Sequence, residues 1–449
     1  MTIRAGFWLT IVTTASVLSA CAAATLRPVD VSVYPRQHDA VRLDVPPPQG
    51  GWSGADLLAF AVIHNPQVAE AKARRDAAVA SGAAARVAQP ITLTLTGEYA
   101  SERPRWGYGA GLDVPLDGGV RRKARVTDAD LKVLQANADY SEAVWSLRSQ
   151  IEHARIMILS ADAEASAWDQ VAALRRQRLE RFNQRVAAGE DPRPDALIAQ
   201  SDLATAQARA VEARTRRDVG RLDLAKGLGA PGTAVRDLVL APLMTSALPD
   251  IAFPRLEAAT RRAEILRAIA DYDLAENALR LEVARRYPEV RLGPGYMYDH
   301  GVTKLPFSLA LVLPPLDLNR SAIAAAEAAR VVAGRTLEVR QAQVLADVDK
   351  ALSAVAAARA VAVRIRAQDI AMADAGAAVV ARAVKLGAQD RGDDLLARAL
   401  AAEAHITLLR AQEAIALASA DLEDALRRPL NLIEAKATAS LLIPGQSQK

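Results

Sequence analysis

Apolar and polar residues alternate over residues 91–99, which read Ile-Thr-Leu-Thr-Leu-Thr-Gly-Glu-Tyr. Period-two alternation predicts a strand with two unlike faces. After a short polar loop the alternation resumes over residues 106–114. Trp106, Tyr108, Leu112 and Val114 share one face, opposite Gly107, Gly109, Gly111 and Asp113. The pattern recurs later in the chain. Val290, Leu292, Tyr296 and Tyr298 share one face of a third strand, opposite Arg291, Gly293, Gly295 and Met297. Leu305, Phe307, Leu309, Leu311 and Leu313 share one face of a fourth, opposite Pro306, Ser308, Ala310 and Val312. Pro294 removes a ladder donor from the third strand, which a local bulge would absorb.

Between these strands the period changes to that of a helix. Residues 120–188 contain no proline and no turn cluster, so one helix of about 100 Å is expected. Within it Val144, Leu147, Ile151, Ala154, Ile158, Ala161, Ala165, Trp168 and Ala172 recur at three- and four-residue steps, a narrow coiled-coil seam. Gly189 ends this helix, and Pro192 and Pro194 cannot continue it. A second helix follows over residues 195–227. Helices at 319–386 and 393–427 repeat the layout. A shorter helix over 55–86 is broken at Asn65-Pro66. Residues 22–52 lack helical periodicity and read as an extended arm. Residues 229–252 connect the halves.

Two landmarks recur at one spacing of about 200 residues. Pro115-Leu116-Asp117 corresponds to Pro315-Leu316-Asp317. The turn Gly189-x5-Asp195-Ala196-Leu197-Ile198 corresponds to Gly387-x5-Asp393-Asp394-Leu395-Leu396. An internal two-fold repeat is expected, each half burying its apolar side on the other.

The strand runs are about nine residues long, enough to cross a membrane when tilted. Apolar-out alternation with terminal aromatics fits a membrane barrel, with Tyr99, Trp106, Tyr108, Tyr296 and Tyr298 at the interface. A two-sheet sandwich alternates too, but here the strands are isolated between long helices. Four strands cannot close a barrel, and an open edge in lipid leaves backbone groups unpaired. Several chains must therefore share one barrel. Two chains give eight strands and a filled interior; three give twelve and room for a lumen, which the small inner faces favour. The fold class is mainly α with a small β part. It comprises a long α-helical barrel of coiled-coil hairpins and a membrane β-barrel shared by a trimer, four strands per chain. Arg121-Arg122-Lys123 and Arg285-Arg286 lie where strands meet helices. They suit phospholipid headgroups, or simply a solvated helix face.

Composition narrows the function. The 449 residues carry 56 basic and 52 acidic side chains, a net charge of only +4 that does not call for nucleic acid. The five histidines are dispersed without ligand spacing, and no glycine loop with lysine could cradle a phosphate. No enzyme activity, metal or cofactor is expected, and energy for any transport must come from a partner. The single cysteine excludes an internal disulfide. Arg4 precedes a mostly apolar run over residues 5–17 and then Leu18-Ser19-Ala20-Cys21, a secretory signal too short to span a bilayer. It resembles a bacterial lipoprotein signal, which implies lipidation of Cys21; the alternative is a buried cysteine near an ordinary cleavage site. Ala22 at the next position then implies routing to the outer membrane.

Arg181-Phe182-Asn183 with the Gly189 turn, the paired Gly387 turn, the strand-then-proline junctions and Lys226-Gly227-Leu228-Gly229-Ala230-Pro231 carry a resemblance. They resemble the outer membrane efflux proteins, the TolC-like channels, over nearly all of the mature chain. The resemblance implies a homotrimeric channel-tunnel in outer-membrane lipid, extending into the periplasm. Its tips would dock on a periplasmic adaptor protein and an inner-membrane pump. Asp195 and Asp393 match the family's periplasmic aperture, although as carboxylates early in a helix they also suit capping. Gly189, Leu197, Gly387 and Leu395 would form the adaptor-docking tips, or serve turn geometry alone. Val384, Gln389 and Leu396 stand where better-known members have an aromatic, an arginine and a second aspartate, so that gating linkage does not carry over. Residues 288–329 also look like members serving heavy-metal exporters. The implied organisation is a signal peptide (1–20), a lipidated arm (21–52), two efflux repeats (53–240 and 253–430) and a tail (431–449). The cargo would be small toxic compounds, drugs or heavy-metal ions. A lipid-anchored periplasmic adaptor and a coiled-coil scaffold without a pore remain alternatives.

Overall fold

The computed structural model describes residues 28–43, 50–87, 89–101, 103–116, 119–243 and 252–431. The expected signal peptide, Cys21, Asp117 and nearly all of the tail lie outside the described residues. The chain divides into two compact units, up to Arg42 and from Leu43 onward. In the first unit a short helix α1 (Val33–Ala40) replaces part of the extended arm expected at 22–52. Asp30 accepts hydrogen bonds from the Ser32 N–H at 2.9 Å and its hydroxyl at 2.6 Å, turning the chain into the helix. None of its residues is buried, so no apolar periodicity announces it.

The second unit begins with α2 (Gly54–His64), whose Ser53 and Asp56 form a reciprocal capping box. The break at Asn65-Pro66 falls where expected and starts α3 (Pro66–Arg86). Buried Asn65 accepts from the N–H groups of Gln67 and Val68, while its amide donates to Gly227 O at 2.8 Å. Pro66 sits at the first helical position, where a missing N–H costs nothing.

The strands are β1 (Thr92–Tyr99), β2 (Trp106–Pro115), β3 (Glu289–Asp299), β4 (Val302–Lys304) and β5 (Phe307–Val312). They form one antiparallel sheet in which β2 and β3 are inner strands. The expected fourth strand, residues 305–313, is present as β5, and an unanticipated β4 precedes it across Leu305-Pro306. Pro306 has no N–H to donate, yet its carbonyl accepts from Gly295 N at 2.8 Å. β4 and β5 therefore keep one common register against β3, from Asp299↔Val302 to Glu289↔Val312. The bulge expected at Pro294 is absent. Gly111 faces Gly295 and Val114 faces Leu292, so no residue is inserted; pairing with β2 lapses between these positions.

The remaining helices include α4 (Gly119–Ala187) and α5 (Arg193–Leu228), then α6 (Ala252–Arg261), α7 (Ala263–Ala284) and α8 (Arg320–Arg364), of which α4, α7 and α8 adjoin the strands. A π turn (Ile365–Ile370) leads into α9 (Ala371–Lys385), and α10 (Arg391–Leu426) closes the described helices. The π turn corrects the uninterrupted helix expected over 319–386. At 3.6 residues per turn, residues five apart lie on different sides of an α-helix, and a π turn brings them together. Ile365 and Ile370 thereby pack into one cluster with Ala362 and Ala411.

Near the sheet the helices lie in the order α3, α4, α7, α8, the order of the strands that join them. Farther away the neighbours are α5, α4, α10 and the α8–α9 arm. The seam predicted along α4 is buried: Val144, Leu147, Ile151, Ala154, Ile158, Ala161, Ala165 and Ala172 pack inward, with Trp168 partly buried beside them. Gly229 explains the Gly227–Pro231 motif. Its φ is +67°, and a Cβ there would lie 2.5 Å from His64 O.

Candidate functional site at the helical tips and the strands

The two helical turns have the same geometry. Gly189 N–H donates to Val186 O and Glu190 N–H to Arg185 O; Gly387 and Ala388 repeat this with Val384 and Ala383. This Schellman closure needs a left-handed residue, and the two glycines have φ of +76° and +73°. Arg185 joins the two turns, reaching Asp191 at 2.8 Å in the first and Asp390 at 3.2 Å in the second.

Asp195 and Asp393 lie in the first turns of α5 and α10, Asp195 half-buried and Asp393 exposed. Neither is the helix cap. Pro192 holds that position in α5 without a side-chain hydrogen bond, and Asp390 holds it in α10, accepting from Gly392 N at 2.9 Å. That backbone hydrogen bond, with the charges of Arg185 and Arg181 nearby, keeps the Asp390 carboxyl below its ordinary value despite some burial. The expected docking residues differ between the turns. Leu197 is 65% exposed, whereas Leu395 is only 5% exposed and so offers packing rather than surface. Asp394 beside it is buried and held by Arg398 at 2.8 Å.

In the strands, register decides which residues share a face. Leu93 pairs with Leu112, Tyr99 with Trp106, Tyr108 with Tyr298, and Leu292 with Leu309. All these side chains fall on one side of the sheet, with Tyr296 opposite Ala110. Thr92, Thr94, Thr96, Asp113, Arg291 and Ser308 fall on the other. The five expected interface aromatics gather at the end of the sheet nearest the β1–β2 loop. There Tyr99 meets Trp106 edge-on at 5.0 Å, and Tyr108 stacks on Tyr298 at 5.1 Å. From this row to Val114 and Leu292 the apolar face runs roughly 25 Å, at about 3.3 Å per residue.

The basic residues at the junction are partly engaged within the chain. Arg121 pairs with Glu289 and Arg285 with Glu282, while Arg122, Lys123 and Arg286 are exposed. His153, His300 and His405 each meet a separate aspartate, and among the described residues no His, Cys, Asp and Glu cluster could hold a metal ion. Among the same residues no helix is long and apolar enough to cross a membrane.

No periodicity or motif in the sequence points to the network around Glu164. Its buried carboxylate receives Arg410 at 2.5 Å, Arg216 at 2.7 Å and the Trp168 indole at 3.3 Å, and Arg216 also reaches Glu413 at 2.7 Å. Burial pushes the Glu164 carboxyl up, but Arg410, Trp168 and Arg216 outweigh it, and the group lies below its ordinary value.

Residues 57–230 match the family model of the outer membrane efflux proteins. No curated protein sequence matches the chain significantly. Several solved structures share its fold. A membrane protein from Pseudomonas aeruginosa is 20% identical with a TM-score of 0.71, covering 90% of this chain and 97% of its own. The outer membrane protein VceC of Vibrio cholerae is 19% identical with a TM-score of 0.70, over 83% and 95% of the two chains. The open state of the MtrE outer membrane channel of Neisseria gonorrhoeae is 18% identical with a TM-score of 0.68, over 87% and 94%. Residues 57–230 thus resemble the outer membrane efflux proteins, and the fold of the chain is that of these outer-membrane channel structures.

Proposed function

We propose that this chain is one protomer of a homotrimeric outer-membrane channel-tunnel, the passive exit duct of a tripartite efflux pump. One observation carries the reading. The strands and the helices that continue them stand in the same lateral order near the sheet, so β1 and the β4–β5 path form two unpaired edges of one wall segment. In lipid such edges close only against further copies. The glycine-rich, small polar face would line the lumen, and the apolar face with its aromatic row would meet lipid. Twelve full strand paths from three copies leave room for a lumen, which eight do not. The like closures at Gly189 and Gly387 favour an internal two-fold repeat with two forms of one tip.

Under this reading Cys21 carries the lipid anchor. Asp195 and Asp393 line the periplasmic aperture as rings of carboxylate that attract cations. Gly189, Gly387 and exposed Leu197 meet a periplasmic adaptor coupled to an inner-membrane pump, with Leu395 supporting the surface from beneath. The cargo is a small toxic compound, a drug or a heavy-metal ion. Solubilised protein should migrate as a trimer that dissociates on heating and should conduct ions in a planar bilayer. A monomer that gives no conductance would refute the duct. Asp393→Ala should weaken divalent-cation block of that conductance; unchanged block would remove the aperture role.

A further inference from the structure

A cleft of about 830 Å³ opens where the end of α7 meets the start of α4 and β3. Leu116, Val120, Val283 and Tyr287 line it, and all four are exposed, Tyr287 by 71%. So many large apolar side chains around one opening mark an interaction site rather than scattered surface. The cleft continues the apolar side of the sheet. Val290 lines it and shares that side with Leu292, and Leu116 follows Val114 on the same alternation.

The rim is basic. Arg280 lines the cleft, is 67% exposed and is held by Glu276 at no closer than 3.4 Å. Lys123 and Arg286 are exposed within a few residues of the lining. An apolar slot beneath exposed cations, with a tyrosine at its mouth, matches an acyl chain joined to a phosphate at a membrane interface. A second copy of the chain fits less well. β2, β3, α4 and α7 are inner elements of their layers, so copies that join at the edges leave this cleft uncovered.

We propose that the cleft binds one anionic phospholipid of the periplasmic leaflet. An acyl chain lies along Val120, Leu279 and Val283, and the phosphate meets Arg280. The proposal rests on the reading of the apolar strand face as lipid-facing. Its test is native mass spectrometry of the full-length detergent-solubilised protein titrated with phosphatidylglycerol, beside insertion of the same protein into phosphatidylethanolamine–phosphatidylglycerol vesicles. One retained lipid per chain is expected. Val283→Trp fills the slot and Arg280→Glu reverses the rim charge; each should weaken retention about tenfold or more while vesicle insertion persists. Glycerol phosphate in excess should not displace the lipid; displacement would mean a simple anion site and overturn the proposal. Unaltered retention in both variants also overturns it, and if Val283→Trp then blocks assembly, the occupant is a second copy. Wild-type protein that inserts into vesicles yet retains no lipid overturns the cleft alone. Protein that does not insert overturns the channel reading and the cleft with it.

Discussion

Gly387 and Glu164 show two ways in which a single residue holds this fold. Gly387 has a φ of +73° with open space around its missing side chain, so an added methyl group meets strain and no clash. Gly387→Ala should cost about 1 kcal/mol, read as a lower midpoint in thermal unfolding of the solubilised protein. The equivalent change at Gly229 would also meet His64 and Asn65 backbone atoms, so it should cost more. Glu164 acts through charge. Glu164→Gln leaves Arg410 and Arg216 short of their common acceptor and should cost roughly 2–3 kcal/mol at neutral pH. The Glu164 carboxyl lies below its ordinary value in the folded chain, so its contribution is fully present above 4.5 and is lost as pH falls through the folded value. The gap between wild type and variant should therefore close on acidification below that point. A gap that stays constant from pH 7 to pH 3 would contradict the ionised network.

At the scale of elements, the two long hairpins meet along α4 and α10 through an antiparallel ladder of polar pairs. Glu142–Arg427 and Arg148–Glu423 lie nearest the strands, then His153–Asp421 and Glu164–Arg410, then Arg175–Glu403, with Arg185–Asp390 at the turns. From Glu142 to Arg185 the ladder runs about 65 Å. Alanine-rich seams are shallow and specify axial register weakly, whereas paired charges penalise a slip of either helix. Arg185→Asp and Asp390→Arg should each destabilise the chain, and the double exchange should recover about 0.5–1 kcal/mol of coupling. A double-mutant cycle on unfolding midpoints with no coupling would show that the turns are held by the backbone alone. The π turn is the other device at this scale. It trades one helical step for the joint burial of Ile365 and Ile370, which a regular helix would point apart.

At the scale of the whole molecule, both the sheet and its helical continuation end in open edges. β1 presents alternate N–H and C=O groups that no other described strand satisfies. Leu95→Pro removes one donor from this edge strand and fixes its φ, so under the proposed channel reading assembly should fail more than folding does. The measurement is the fraction of heat-dissociable oligomer against the helical circular dichroism of the same sample. Retained oligomer with full conductance would mean that the edges do not join copies.

The sequence by itself determined the strand faces, the seam of α4, the break at Asn65-Pro66 and both glycine turns. Each follows from periodicity or from one residue's backbone chemistry, which are local properties. Tertiary structure alone decided the partners. Arg185 and Asp390 are 205 positions apart, and nothing in the pattern of either helix points to the other. Leu197 and Leu395 occupy equivalent positions in their turns, yet one is exposed and one buried, because only the second packs inward. The basic run at Arg121 looked like one surface in sequence, but packing drew Arg121 to Glu289 and left Lys123 in the open. Long-range electrostatics and burial depend on which elements become neighbours, and the period of a single segment carries no record of that.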